Sequence, residues 1–274
     1  MVGWRMKGGS SKRTYAVVIA ALLGMAAGPA SSEAAPRYLW RAEPSVQGAA
    51  TLAGRIPAPA GFERVPAPQG GFAEWLRNLP LSPEGTPVRL YDGRLKWAQD
   101  KHVAVIDIDT GTRNLQQCAD AVMRLRAEYL LASGRARDIA FNDTEGKRLA
   151  FRGSPTDRKA FQRYMIQVFS YAGTYSLERE MSRVPLADMR IGDVFIKGGF
   201  PGHAVLVVDM AAKGASGERR FLLAQSYMPA QDMHVLKDPK SQDGTAWYKM
   251  PEAGGELVTP EWIFQTSQLR RFKE

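Results

Sequence analysis

Cysteine and histidine, two side chains that often serve catalysis and metal binding, are scarce in this chain. Its 274 residues include one cysteine, Cys118, and three histidines, His102, His203 and His234. A lone cysteine excludes an internal disulfide, so Cys118 does not cross-link the fold. The histidines lie far apart and form no HxH or HxxxH pair, which is a poor zinc pattern. The phosphate-loop and dinucleotide fingerprints are also missing, and we expect neither a metal nor a cofactor.

Long apolar runs are missing as well. The apolar run at residues 15–25 is about eleven residues long, too short for a membrane span of ~20 residues. Basic residues precede it, and small residues in "GPA" and "SEA" follow it as candidate cleavage sites. We interpret residues 1–34 as a signal peptide, with an uncleaved anchor as the alternative. The protein is then periplasmic or secreted, with no stable membrane span after signal removal.

The charge balance is mildly basic. The whole chain carries a formal charge of +9, and loss of four basic residues and one acidic residue with the signal peptide leaves +6. Such a surface suits polyanionic surroundings such as cell wall or anionic lipid. The basic residues are scattered and accompany no nucleic-acid motif, so we expect no nucleic-acid partner.

The rest of the chain divides into an arm and one domain. Residues 35–70 include "GRIPAPAGFERVPAPQGG" and predict an extended Pro/Gly/Ala-rich arm with no core of its own. Residues 71–274 suffice for a single domain. Helices are predicted first and a meander of strands follows from residue 191, an order that indicates an α+β fold.

The shorter elements follow from local patterns. "FAEWLRNLP" predicts a short helix, Asp92-Gly93 predicts a hairpin turn, and 102–109 predicts a buried strand. "DRKAFQRYMIQVFSYAG" and "SLEREM" predict two further helices. The predicted strands are "DVFI", "HAVLVVD", "RRFLLAQSY", "HVLK" and "AWYKM". "TPEWIFQTSQLRRF" predicts a C-terminal helix with a Thr-Pro cap.

Cys118 lies in the predicted helix "TGTRNLQQCADAVMRLRAEYLLASGR". Thr112 or Asn114 can cap this helix and Gly134 can end it. Its apolar face comprises Leu115, Cys118, Ala119, Val122, Leu125 and Tyr129, and Arg124, Arg126 and Glu128 lie away from that face. The free amide N–H groups and the positive dipole of a first turn favour a thiolate. The alternative is a small buried side chain that fills the space between helix and sheet.

His203 and Gln225 are the predicted partners of Cys118. His203 begins an apolar strand directly after Gly202, and an imidazole there can take the thiol proton or hold a thiolate as an ion pair. The apolar run of the next strand breaks at Gln225, whose amide oxygen can accept an imidazole N–H and orient the ring. We therefore predict a site of Cys118, His203 and Gln225. The plain alternatives are a strand-edge histidine bonded to loop backbone and a glutamine at a strand exit.

Other polar residues are weaker candidates. We expect His102 at a strand start to be capped by backbone and His234 to be exposed. Asp107 and Asp109 are two apart on one strand, where their side chains would repel each other, and we place them at the strand end facing solvent. Asp209 shares the face of His203 but lies six residues along, roughly 20 Å away.

"IGDVFIKGGFPGHAVLVVDM" resembles the "GD-(strand)-GHV-(strand)" segment of papain-like cell-wall amidases, the NlpC-type and CHAP peptidases. The resemblance implies a papain-like fold, with a helix packed on an antiparallel sheet. It also implies that Cys118 is the nucleophile, His203 the base and Gln225 the third polar residue. This chain has Gln117-Cys118-Ala119 where that family usually has Asp-Cys-Ser, and 85 residues separate Cys118 from His203. The mature chain also resembles an uncharacterised bacterial family of exported proteins that share "LQQCADA", "GDVFI", "GHAV" and "LAQSYMPAQD", from which no activity follows.

Two classes of function fit these features. The first is an exported cysteine amidohydrolase or peptidase that acts on amide bonds, with peptidoglycan or another peptide as candidate substrate. The second is a non-catalytic periplasmic binding or assembly module on the same fold. Such a module either keeps the binding cleft of the fold without catalysing a reaction, or uses residues 35–70 to dock a partner.

Overall fold

A computed structural model of the protein describes residues 1–5, 8 and 36–273. The predicted signal peptide, residues 1–34, falls almost entirely outside this described part. The chain forms two compact units, Met1–Ala34 and Ala35–Glu274. All helices and strands of the described residues belong to the second unit.

The described residues form five α-helices and thirteen β-strands. The helices are α1 (Leu52–Arg55), α2 (Phe72–Arg77), α3 (Cys118–Ala132), α4 (Arg158–Tyr171) and α5 (Thr174–Glu180). The strands are β1 (Glu63–Arg64), β2 (His102–Val105), β3 (Ala140–Asn142), β4 (Arg148–Ala150), β5 (Ser182–Arg183), β6 (Val194–Lys197), β7 (His203–Lys213), β8 (Glu218–Gln225), β9 (His234–Leu236), β10 (Tyr248–Lys249), β11 (Glu256–Val258), β12 (Ile263–Gln265) and β13 (Leu269–Arg271).

Nine of these strands make one antiparallel sheet. Seven follow the order β2-β9-β8-β7-β6-β13-β5, while β1 pairs with β7 and β10 with β8. Strand β7 is the longest and is buried along most of its length, as its continuous apolar run indicates. The remaining strands form the hairpins β3–β4 and β11–β12. The predicted α+β class with a large antiparallel sheet is confirmed.

Helix α3 packs against β7 and β8 on one side and against α2, α4 and α5 on others. The predicted polar face of this helix is wrong, because Arg124, Arg126 and Glu128 are all buried. Arg124 donates to Glu128 and to Asp109, and Arg158 donates two further hydrogen bonds to Glu128. Arg126 lies over the rings of Phe72, Tyr129 and Phe272. Paired charges and ring contacts thus let a charged stripe become interior.

The proline-rich segment 35–70 is integrated into the domain. Tyr38 and Leu52 are fully buried in the common core, and β1 adds to the sheet by pairing with β7. The predicted extended arm is therefore not confirmed, because the segment contains α1 and β1 and its side chains help to complete the core of the domain.

The C-terminal helix prediction is wrong. Residues 259–271 form β12 and β13, and β13 lies between β6 and β5 in the sheet. Thr259 Oγ1 donates to the carbonyl of Trp262 and accepts its N–H, which closes a turn in place of a helix cap. The burial of β12 alternates exposed, buried, exposed, which is the period of a strand.

Most other local predictions are confirmed. The helices predicted in "FAEWLRNLP", "DRKAFQRYMIQVFSYAG" and "SLEREM" are α2, α4 and α5, and the strands predicted from residue 191 to "AWYKM" are β6 to β10. The hairpin turn at Asp92-Gly93 is present, with the Leu90 N–H donating to the Arg94 carbonyl and Gly93 at φ +86.

Candidate functional site

Cys118 is the first residue of helix α3, and Gln117 is its N-cap. The helix therefore begins later than Thr112 or Asn114 would place it. Backbone N–H groups of Cys118, Ala119 and Ala204 lie near the sulfur and act to lower the pKa of the thiol. Two of these groups belong to the open first turn of the helix, and the third belongs to β7. The side chain is buried, with 6% of the residue exposed.

His203 is the first residue of β7 and is fully buried. It follows a tight loop in which Gly202 is closely surrounded. A Cβ at position 202 would lie 2.4 Å from both Gly199 O and Thr174 Oγ1. The imidazole ring is enclosed by three aromatic rings with centroids 4.8, 5.5 and 5.8 Å away, those of Tyr227, Trp262 and Phe264. Because Ala204 follows His203 directly, the Cys118 sulfur lies at the same end of β7 as the imidazole.

Gln225 ends β8 and contacts the imidazole directly. Its Oε1 lies 2.8 Å from Nε2 of His203. An amide oxygen only accepts hydrogen bonds, so Nε2 of His203 carries the proton and Nδ1 has a free lone pair. Nδ1 is thereby the nitrogen of the ring that can accept a thiol proton. The structure thus joins His203 and Gln225 directly, and it places Cys118 near the backbone of Ala204, the next residue of β7. We call Cys118, His203 and Gln225 the Cys–His–Gln site.

Two hydrogen bonds join the segment before α3 to the segment after β8. Ser226 Oγ donates to the carbonyl of Gln116, two residues before the cysteine, and also to the carbonyl of Gln231. The side-chain oxygen of Asn114 accepts the N–H of Ala230. The "LQQCADA" and "LAQSYMPAQD" stretches therefore fix the start of the helix relative to Gln225.

Burial keeps both reacting groups neutral in the resting site. Desolvation, with the Asp120 carboxylate as a second cause, raises the pKa of the Cys118 thiol to about 11. Desolvation lowers the pKa of His203 to about 4, and the hydrogen bond to Gln225 opposes this only in part. The site thus holds a thiol and a neutral imidazole, in contrast to a ready-made ion pair.

Three further side chains lie around Gln225 that the sequence analysis did not assign to the site, namely Lys96, His234 and Glu261. Gln225 Nε2 donates to Glu261 Oε2 over 2.6 Å, and Lys96 Nζ donates to the same oxygen over 2.6 Å. His234 lies opposite Gln225 in the sheet, and its Nε2 is 3.3 Å from Gln225 Nε2. The prediction that His234 is exposed is wrong, because it is fully buried.

The signals for these residues were weak. Lys96 follows a hairpin and lies between Leu95 and Trp97, and Glu261 stands where an acidic first-turn residue of a helix would stand. Neither position indicates burial, because each side chain is stabilised in the interior by a partner 165 residues away in sequence. A histidine in "HVLK", at the start of a predicted strand, was the one usable hint.

The other candidates lie apart from the thiol or carry structural roles. His102 begins β2, and its Nε2 lies 3.4 Å from the Thr86 carbonyl. Asp107 and Asp109 have largely exposed side chains that pair with Arg41 and Arg124 respectively. Asp209 is fully buried between Arg64 and Arg77, which donate to its two oxygens over 2.6 and 2.7 Å. These ion pairs account for the aspartates without any catalytic role.

Cavities and metal ligands give no further help in the described residues. A surface cavity of about 1120 Å³ has Trp247, Tyr248 and Lys249 in its walls but none of the Cys–His–Gln side chains. The candidate site is therefore identified by the chemical types of its side chains and not by a large cavity. No cluster of three or more potential metal-binding side chains occurs in the part of the chain that the structure describes. Within residues 1–5, 8 and 36–273, no helix has the length and apolar character needed to cross a membrane.

The fold and the site define an α+β protein with a buried cysteine–histidine–glutamine arrangement at a helix start. The chain belongs to the family described as Domain of unknown function (4846), DUF4846, whose model matches residues 52–155 and 152–271. No curated protein and no solved structure matches it. The expected membership of a family without a known activity is confirmed. The resemblance to NlpC-type and CHAP peptidases receives no support from these comparisons.

Proposed function

We propose that the protein is a cysteine amidohydrolase or peptidase with a papain-like site. The observation that carries this proposal is the contact of His203 Nε2 with Gln225 Oε1, at the strand end where the backbone N–H of Ala204 lowers the pKa of the Cys118 thiol. A nucleophile, a base and an orienting amide are the three parts that such catalysis requires. The placement of a cysteine at a helix start on an antiparallel sheet supports the papain-like comparison.

The geometry suits proton transfer during attack. The Cys118 sulfur forms a bond to the carbonyl carbon of an amide while its proton passes to Nδ1 of His203. The C–N bond then breaks, and His203 returns that proton to the leaving amine, which leaves a thioester on Cys118. Water attacks the thioester carbon while His203 takes one of its protons, and the C–S bond then breaks as His203 gives that proton to the departing sulfur, which releases a carboxylic acid and restores the Cys118 thiol. The N–H groups of the first turn of α3 that face the sulfur are suitable donors to the carbonyl oxygen as it gains charge.

The substrate part of the proposal is an amide bond of peptidoglycan stem peptides, in an exported enzyme. A net charge of +6 without residues 1–34 is compatible with an anionic cell-wall polymer. The basic and apolar pattern of residues 1–34 supports export.

A second candidate is a binding or assembly module that keeps the fold without turnover. The burial of Cys118 and the rise of its pKa to about 11 favour this alternative. The two candidates differ in whether His203 changes the chemistry of the thiol.

Alkylation of Cys118 distinguishes them. We expect the folded wild-type protein near pH 7 to react with iodoacetamide roughly tenfold or more faster than His203→Ala, because general-base assistance contributes on the order of 10² or more. Asp209→Asn serves as a control for lost stability, since it removes a buried charge of β7 far from the thiol. Equal rates in wild type and His203→Ala, or reaction only in denaturant, would contradict the hydrolase proposal.

Digestion of purified peptidoglycan tests the substrate. Mass spectrometry should find new free carboxyl and amine ends in the stem peptides with wild type but not with Cys118→Ala. If alkylation depends on His203 and yet no stem peptide is cut, the substrate is another amide.

A further inference from the structure

Gln225 is held by three polar partners in a buried place, and together they permit one orientation of its amide. Its oxygen faces His203 Nε2 over 2.8 Å, and its nitrogen faces Glu261 Oε2 over 2.6 Å and His234 Nε2 over 3.3 Å. The amide therefore has one acceptor and two donors, and each of them has a partner.

Both partners of the amide nitrogen act as acceptors. His234 Nδ1 lies 2.8 Å from the carbonyl of Asp232, so Nδ1 carries the proton and Nε2 has the lone pair. Lys96 donates to Glu261 Oε2 over 2.6 Å, with both side chains almost fully buried. Glu261 Oε2 therefore accepts hydrogen bonds from both Lys96 and Gln225.

The reversed amide is excluded by the same contacts. If Gln225 were flipped, its oxygen would face a carboxylate oxygen and an imidazole lone pair, and its N–H groups would face His203. A buried polar group without a partner is destabilising. Two acceptor–acceptor contacts add repulsion to that cost.

We propose that Glu261 and His234, with Lys96 behind Glu261, are positioning residues that fix the proton of His203 on Nε2. They act through Gln225 and touch neither the thiol nor a substrate. The consequence is that Nδ1 stays unprotonated and available to the Cys118 thiol. This inference rests on the proposed function for its catalytic meaning, but the orientation itself is a property of the resting protein.

Nitrogen NMR of the imidazole rings tests the inference directly. With only three histidines in the chain, ¹⁵N-histidine labelling gives few signals, and His203→Ala and His234→Gln assign them. We expect wild-type His203 protonated on Nε2 and His234 protonated on Nδ1. A wild-type His203 protonated on Nδ1 overturns the proposal without any further variant.

Glu261→Ala tests the mechanism of positioning. We expect His203 to lose its single tautomer in this variant, and alkylation of Cys118 near pH 7 to fall about fivefold or more toward the His203→Ala rate. Glu261→Gln should largely restore both, because Lys96 keeps an amide oxygen turned toward the ammonium and Gln225. Asp209→Asn is the matched control, in which a buried carboxylate is lost and stability falls while the tautomer stays.

The outcomes separate this inference from the proposed function. A Glu261→Ala protein that keeps the tautomer and an alkylation rate within about twofold of wild type overturns positioning and leaves the hydrolase intact. In the opposite outcome, Glu261→Ala loses the single tautomer of His203, while Cys118 is alkylated at the same rate in wild type and His203→Ala. That outcome supports the positioning role and contradicts the hydrolase proposal.

Discussion

At the scale of single residues, the site combines features that oppose each other. The N–H groups of Cys118, Ala119 and Ala204 lower the thiol pKa, whereas burial and Asp120 raise it, and the raising causes dominate. Asp120 also caps the helix, because its Oδ2 accepts the Gln117 N–H over 3.0 Å. One carboxylate thus orders the start of α3 and restrains the reactivity of the cysteine.

Asp120→Asn should separate these two roles. Burial raises the pKa of the Asp120 carboxyl as well, so its charge acts on the thiol only above that raised pKa. An asparagine keeps an oxygen for the Gln117 N–H but removes the charge, so the pKa of Cys118 should fall. The pH dependence of iodoacetamide alkylation measures this shift. Asp120→Ala is the companion variant, which also loses the cap and should lower the free energy of unfolding by about 1 kcal/mol. An unchanged alkylation profile in Asp120→Asn would show that this charge does not act on the thiol.

At the scale of elements, the loop between β6 and β7 sets the position of His203. A Cβ at Gly202 would lie 2.4 Å from Gly199 O and 2.7 Å from Lys197 O, both of which are backbone atoms. Backbone atoms of a packed loop cannot rotate away as a flexible side chain can. The loop therefore needs glycine immediately before the histidine.

Gly202→Ala should lower the free energy of unfolding by about 1–3 kcal/mol, the usual cost of overpacking. It should also slow Cys118 alkylation, since His203 must move with the loop. Gly173→Ala is the control, because a Cβ at position 173 would meet open space and the backbone there is extended, with φ −173. The two variants, compared by urea unfolding, should differ clearly, and equal stabilities would contradict the crowding argument.

Local pattern predicted most elements because each depends on neighbours in sequence. Helices α4 and α5 and strands β6 to β9 follow from apolar periodicity and turn residues. The helix prediction for the C-terminal segment was wrong because its Thr-Pro start is also compatible with a turn. Its pairing partner β6 lies far away in sequence, where no local pattern reports it.

At the scale of the whole molecule, buried neutral histidines connect the site to stability. Burial lowers the pKa of His203 to about 4 and that of His234 to about 3. In the unfolded chain each histidine is protonated near pH 6.5. The contribution of each buried histidine to the free energy of unfolding is therefore complete above that pH and is lost as the pH falls toward the folded pKa. Burial raises the pKa of Glu180 to about 7, so the stability that this residue contributes falls as the pH rises, opposite to the effect of the histidines.

His234→Gln should reveal the histidine contribution against this background. Between pH 6.5 and pH 5, the wild type should lose about 2 kcal/mol more unfolding free energy than the variant, because one titrating group is removed. Urea unfolding at the two pH values gives the difference, in which the Glu180 contribution cancels. Parallel losses in both proteins would mean that His234 titrates in the folded protein as it does in the unfolded chain.

The sequence by itself determined the α+β class and most helices and strands. It was also sufficient to choose Cys118, His203 and Gln225 as candidate site residues. Those features depend on periodicity, on turn chemistry and on the few side chains able to perform nucleophilic chemistry. Only the tertiary structure decided that α3 is interior on every side, that residues 259–271 contain the strands β12 and β13, and that Lys96, His234 and Glu261 surround Gln225. A charged side chain enters the interior only with a partner, and here the partner is distant in sequence.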